Sequence, residues 1–192
     1  LVAKRAAFME EATKMSEGKM AAVVGLDRKK ITEICRETGA EVANFNSPEQ
    51  TVITGEAAKL DKACALLNEA GAKRVVPLAV SGAFHSSLMQ PAAAKFKEAV
   101  SEAPVQEARI PLVANVDAQP AVEPEKIREN LEKQIISSVR WVDSVQFIAG
   151  QGVTSFIEIG PGKVLKGLIR RTDRSLNVQN VETADDAEGL SF

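Results

Sequence analysis

Long hydrophobic runs are missing from this sequence. Nothing in it approaches the roughly 20 consecutive apolar residues of a membrane-crossing helix, and no signal peptide opens it, so no membrane partner is expected. Cysteine is scarce as well. Cys35 and Cys64 are too few and too far apart for a disulfide framework or a zinc site, and no metal is expected. Both sit in periodic helical segments, which suits buried free thiols in a reducing cytoplasm. Positive charge is not in excess: 24 lysines and arginines stand against 26 aspartates and glutamates, and a net charge of −2 gives no electrostatic reason to bind nucleic acid. Internal repeats and low-complexity segments are absent. There is one histidine, His85, so any chemistry that needs an imidazole falls on it.

What is present is an ordinary globular composition, 45% hydrophobic and 26% charged over 192 residues, enough for one sizeable core or a core with a small inserted unit. The chain begins without Met, inside a helical pattern over 1–12, which points to a truncated start. From 17 to 80 the hydrophobic period alternates between two and 3.6. Met20 to Leu26 reads as a buried strand. Asp27 caps a helix with Ile31, Ile34 and Cys35 on one stripe, and Gly39 ends it. A hairpin is expected from Glu41 to Phe45 and Gln50 to Thr54 around Ser47-Pro48. A second helix carries Leu60, Ala63, Cys64 and Leu67 and stops at Gly71, and a strand from Arg74 to Val80 closes the unit. This β-α-β-β-α-β order is that of a ferredoxin-like unit, with two helices on one face of an antiparallel sheet.

The remainder alternates differently. Ser87 and Gln90 suggest a capping box for a helix reaching Glu102, with Pro91 in its first turn. A strand is expected from Ile110 to Val116, helices follow Pro124 and Trp141, and Thr154 to Ile159 reads as another strand. Gly160-Pro161-Gly162 then turns into a helix bearing Val164, Leu165, Leu168 and Ile169. Alternating strands and helices imply a parallel sheet covered on both faces. The expected organisation is a helix of a larger α/β unit at 1–16, the inserted ferredoxin-like unit at 17–80, and the rest of the larger unit at 81–192.

His85 lies where a strand gives way to a helix, a usual place for catalytic groups in α/β folds. A hydrogen-bonded structural histidine fits the same position. Gly82-Ala83-Phe84-His85-Ser86 occurs in order with Asn44-Phe45-Asn46-Ser47-Pro48-Glu49-Gln50, Asn115-Val116-Asp117 and Ile159-Gly160-Pro161-Gly162-Lys163-Val164-Leu165. Together these resemble the bacterial malonyl-CoA:acyl carrier protein transacylases of type II fatty acid synthesis, over nearly the whole chain.

The resemblance implies a partial α/β-hydrolase-like fold and a Ser/His acyltransferase whose substrates are malonyl-CoA and acyl carrier protein. It implies no cofactor beyond the coenzyme A thioester itself. His85 matches the general base, and Gln134 matches the residue whose main-chain carbonyl orients it. Arg5 matches the arginine that holds the free malonyl carboxylate. It also falls at i+3 from Val2 and i−4 from Met9 on an apolar stripe, where it could instead snorkel to water. Phe84 resembles the malonyl-selective form of its segment, and Asn46 and Gln50 resemble residues at the cleft mouth. Core packing accounts for the first and turn propensity for the others equally well.

Gly160-Pro161-Gly162-Lys163 could hold a phosphate at a helix start but lacks the spacing of a nucleotide loop. Lys163, Lys166, Arg170, Arg171 and Arg174 give that helix a cationic end. Favourable charge at a helix C-terminus explains it, as does attraction of an acidic carrier protein. The departure from the family is that the 192 residues contain no Gly-x-Ser-x-Gly elbow. A segment bearing the nucleophilic serine is therefore an expected partner, and this chain alone is expected to be inert. Two other readings stay open: an acyltransferase domain of a polyketide synthase, and a non-catalytic ferredoxin-like module that binds a small ligand.

Overall fold

The computed structural model describes residues 1–190; Ser191 and Phe192, the end of the 81–192 segment, lie outside the described residues. The first half is organised around a four-stranded antiparallel sheet. After helix α1 (Val2–Thr13) come β1 (Gly18–Val24), α2 (Arg28–Thr38), β2 (Glu41–Ser47), β3 (Gln50–Glu56), α3 (Ala57–Glu69) and β4 (Arg74–Pro77), and the strand order is β2-β3-β1-β4. The ends of α2 follow from its sequence. Asp27 Oδ1 accepts from Lys29 N at 2.9 Å, and Gly39 takes φ 77°, the left-handed turn that glycine adopts without a Cβ penalty.

Strand β1 is apolar on successive residues because both of its faces are covered. Ala21 and Val23 pack under α2 and α3 with Ile31, Ile34, Ile53, Leu60 and Leu67. Met20 and Ala22 face the other way, against Ala43, Val52 and Phe84. That second face looks toward α1 and the segment carrying His85, so this sheet forms one wall of the candidate site. Strand β4 stops at Pro77, short of the expected Val80; Pro77 has no N–H to continue a ladder. Leu78 still donates to Met20 O at 2.9 Å.

A 3₁₀ turn (Ser87–Met89) leads into α4 (Gln90–Ser101), and α1, α4 and α5 (Pro124–Gln134) share a core of Met9, Ala12, Met89, Phe96, Val100 and Ile135. Ser86, not Ser87, supplies the cap: its hydroxyl accepts from Leu88 N at 3.3 Å. The strand expected from Ile110 to Val116 reduces to β5 (Leu112–Val113), paired antiparallel with β6 (Pro120–Ala121). Pro111 removes a donor from that run, and Ile110 stands 80% exposed with no neighbouring strand.

Helix α6 (Trp141–Gly150) precedes β7 (Ser155–Ile159), α7 (Val164–Thr172), β8 (Asn177–Val181) and α8 (Ala184–Glu188). Strands β7 and β8 are parallel, and Val145, Ile169, Leu176 and Val178 form the core beneath them. The parallel sheet is thus two-stranded among the described residues and not covered on both faces. Ile157 and Ile159 of β7 are exposed, the latter at 82%. No helix among the described residues is long and apolar enough to cross a membrane.

Candidate functional site

His85 sits in a left-handed backbone conformation, φ 57°, which side chains with a Cβ adopt at a cost. The segment around it is pinned. Ser86 is fully buried, and its hydroxyl donates to Ala83 O at 2.6 Å. Gly18 of β1 is what lets the segment lie so close, since a Cβ there would meet Ala83 N at 2.6 Å.

The imidazole is held by main chain. Nδ1 lies 3.0 Å from Gln134 O and 3.1 Å from Ser137 O. Carbonyls only accept, so Nδ1 carries the hydrogen and Nε2 is left with its lone pair, without a partner among the described residues. Burial lowers the pKa of His85 from its ordinary value, and the nearby Arg5 cation lowers it further. The Gln134 and Ser137 carbonyls act in the opposite direction. The imidazole is therefore kept neutral and able to accept a proton.

His85 lines two hollows. In one, of about 420 Å³, it meets Arg5, Phe84, Asn44, Asn46 and Val52. In the other, of about 680 Å³, it meets Glu41, Ser137, Ser138, Val116 and Arg140. The first hollow gathers most of the residues expected from the sequence. Arg5 is half-buried, burial lowers its pKa, and it forms no ion pair among the described residues. Lys4, by contrast, points away toward Glu102, 3.9 Å distant on the surface. Phe84 packs against the sheet core and the helical core at once, so its packing role and its place in the hollow coexist.

Gln50 stands apart from the site, whereas Gln134 reaches it through its carbonyl. Gln50 opens β3 opposite Val24 and Ser47 and lines neither hollow of His85. Asn44 takes the place beside Asn46 instead; two residues apart on one strand, the two point to the same face, a period-two signal that the sequence carried. Ser137 was also missed. It acts through its carbonyl, which every residue type possesses.

The two serines after His85 are occupied, Ser86 as the cap and Ser87 on the Glu41 carboxylate at 2.7 Å. The turn at Gly160 to Gly162 leads to a helix start already satisfied from within, because Glu158 accepts from Leu165 N and Lys166 N, both at 2.9 Å. A phosphate would have to displace that carboxylate. Arg170, Arg171 and Arg174 line a separate hollow of about 560 Å³ with Ser47, Pro48 and Glu49.

A half-buried neutral histidine with a fixed tautomer, sharing an apolar-walled hollow with an arginine that has no ion-pair partner among the described residues, suits proton transfer beside a carboxylate-bearing substrate. Comparison with known proteins agrees on the class: the chain belongs to the acyl transferase domain family, whose model matches residues 1–188. Within that family it is similar to the malonyl CoA-acyl carrier protein transacylase of Bacillus subtilis, at 43% identity over 192 residues. The match covers 97% of this chain and 61% of that protein, so the chain spans about three-fifths of the relative's length. Among solved structures, the acyl carrier protein S-malonyltransferase of Vibrio cholerae superposes with a TM-score of 0.94 at 36% identity, covering 98% of this chain and 63% of that one. A malonyl-transacylase solved in complex with its type II PKS acyl-carrier protein superposes with a TM-score of 0.91 at 39% identity, covering 97% and 62%.

Proposed function

We propose that this chain is the histidine-bearing part of a cytoplasmic malonyltransferase of fatty acid synthesis, which moves malonyl from coenzyme A to the phosphopantetheine thiol of acyl carrier protein. The nucleophilic serine is on a segment outside this chain. The observation that carries the reading is the pair of carbonyls on His85 Nδ1, which leaves Nε2 free as a base beside Arg5. His85 Nε2 takes the serine proton as its oxygen bonds to the thioester carbonyl carbon. The C–S bond then breaks, and the proton passes to the departing coenzyme A sulfur. In the second half His85 accepts the proton of the carrier thiol, whose sulfur takes the malonyl group, and returns it to the serine oxygen.

Arg5 pairs with the free carboxylate, Phe84 limits room beside the α-carbon, and Asn46 borders the entry. Gln134 contributes only its carbonyl. On this reading 17–80 is a ferredoxin-like insertion, supported by the β2-β3-β1-β4 order, in an α/β-hydrolase-like unit made of 1–16, 81–192 and the serine-bearing segment. The bare apolar face of β7, with Ile157 and Ile159, supports packing against that segment. The similar proteins include malonyltransferases and one solved in complex with its acyl-carrier protein, which supports both substrates.

The test is transfer from radiolabelled malonyl-CoA to holo carrier protein. This chain alone should take no label. Co-expression with the part of the Bacillus subtilis relative that it does not cover should give transfer that falls about 100- to 10,000-fold in His85→Ala. A stoichiometric label on Ser86 or Ser87, or transfer indifferent to His85, would overturn the proposal.

A further inference from the structure

We propose that Glu41, the first residue of β2, is a positioning residue for His85, fixing the backbone that carries the imidazole so that Nδ1–H stays on the Gln134 and Ser137 carbonyls. The inference rests on the reading of His85 as the base, but it concerns the tautomer of that base, which is measurable whether or not any acyl group moves.

His85 occupies a strained left-handed conformation, and such a conformation persists only where its neighbours over-determine it. On its N-terminal side, Ala83 is wedged against Gly18 and bonded by Ser86. On its C-terminal side, the Ser86 hydroxyl is committed to Leu88 N, and the N–H of Ser87, at the surface, goes to a different acceptor. Glu41 supplies it across 46 residues of sequence. Its two carboxylate oxygens lie 3.0 and 3.2 Å from Ser87 N, and Oε1 also accepts from Ser87 Oγ at 2.7 Å. These are charge-assisted contacts on the second residue after the imidazole, the stronger class of hydrogen bond.

The same strand holds the other end of the His85 hydrogen bonds. Val139 N donates to Ala43 O at 2.7 Å, Phe45 N donates to Val139 O at 2.9 Å, and Ser138 Oγ donates to Val42 O at 2.5 Å. Residues 42–45 thus fix the strap that presents the Gln134 and Ser137 carbonyls, while Glu41 fixes the chain that presents the ring. One strand sets the separation between donor and acceptors. Glu41 and Arg5 line different hollows of His85, and the hydrogen bonds of Glu41 run to Ser87 on the histidine's own segment, so its influence passes through the histidine.

Because His85 is the one histidine in the chain, the nitrogen-15 shifts of its ring are unambiguous in the intact protein. In the unaltered chain at neutral pH, Nδ1 should read as protonated and Nε2 as bare. Glu41→Ala should release the ring toward the Nε2–H tautomer favoured by free imidazole, so that the two well-separated shifts converge or exchange. Glu41→Gln keeps one acceptor oxygen and should keep the original pattern. Glu41→Val, which suits a strand, serves if the alanine variant does not fold. A folded Ala or Val variant with the original tautomer would overturn the proposal, as would a Gln variant that loses it as completely as Ala.

Discussion

Arg5→Ala separates recognition from chemistry. The guanidinium is half-buried, lines the same hollow as His85, and has no carboxylate partner among the described residues, so its donors are available to a substrate. A hydrogen-bonded charge pair is worth about 1.5–3 kcal/mol, and the open side of this hollow puts Arg5 at the lower end, about 1.5–2 kcal/mol. In the enzyme completed by a serine-bearing segment, that corresponds to a loss of roughly 10- to 30-fold in kcat/KM for malonyl-CoA. Acetyl-CoA has no second carboxylate and should suffer little. Arg5→Lys keeps the charge without the planar fork and should recover part of the loss. Lys4→Ala, whose side chain reaches out to Glu102, should change neither rate. The assay is kcat/KM for both thioesters with each variant. Equal slowing of malonyl and acetyl transfer by Arg5→Ala would show that the arginine holds the fold, and the carboxylate assignment would fail.

His85 makes stability depend on pH with a definite sign. Its folded pKa is depressed, chiefly by burial, so its contribution is complete above the unfolded value of about 6.5 and is lost as pH falls through the folded value. Urea unfolding between about pH 7.5 and pH 5 should show that slope, and His85→Gln should flatten it; identical slopes would refute the assignment. Gly18→Ala should overpack against the Ala83 backbone, costing about 1–3 kcal/mol and lowering Tm by several degrees in a calorimetric scan. Cys35 is 2% exposed, and burial pushes its thiol pKa up to about 12, so it should resist aromatic disulfide reagents until the protein unfolds, while the half-buried Cys64 reacts first.

The first half of the fold was legible because its local signals agree with one another. Asp27 and Gly39 bracket α2, and a turn at Pro48-Glu49, one residue on from the expected Ser47-Pro48, separates two strands of matched length. Signals failed where partners decide the outcome. The run from Ile110 to Val116 has strand composition, yet a strand needs a neighbour, and only Pro120–Ala121 pairs with it. Strand β8 has little apolar period of its own and exists because β7 lies beside it. Helix α8 was readable and missed, since Thr183 and Asp186 form a reciprocal capping box. Within the site, Arg5, Phe84, His85 and Asn46 were named from a family resemblance carried by side chains, and the structure brings the four to one hollow; such a resemblance is blind to Ser137, whose contact is made by a carbonyl, and to Glu41, whose proposed part is at one remove.

The choice of carbonyls to hold His85 has a consequence for the chemistry. The carboxylate of a Ser-His-Asp triad fixes the tautomer and also stabilises the imidazolium, which raises the basicity of the ring. Carbonyls fix the tautomer but offer the cation only dipoles, and here burial and the Arg5 charge outweigh them, so the pKa stays below its ordinary value. A weaker base holds an accepted proton less tightly, which suits the proposed transfer, in which the imidazole gives that proton to each departing group in turn. Arg5 links this balance to substrate identity. A free carboxylate seated on the guanidinium neutralises the charge that depresses His85, so on the proposed reading the imidazole gains basicity when a malonyl thioester is bound and not when an acetyl thioester is. Selectivity then has two sources in one residue, a hydrogen-bonded pair in the ground state and a better base in the step that follows. The kinetic signature is a pH profile of kcat for malonyl-CoA whose acidic limb lies at higher pH than that for acetyl-CoA, while kcat/KM, which reports the free enzyme, shows the same limb for both. In Arg5→Ala the two profiles should coincide; a separation that survives the substitution would mean that Arg5 does not tune His85.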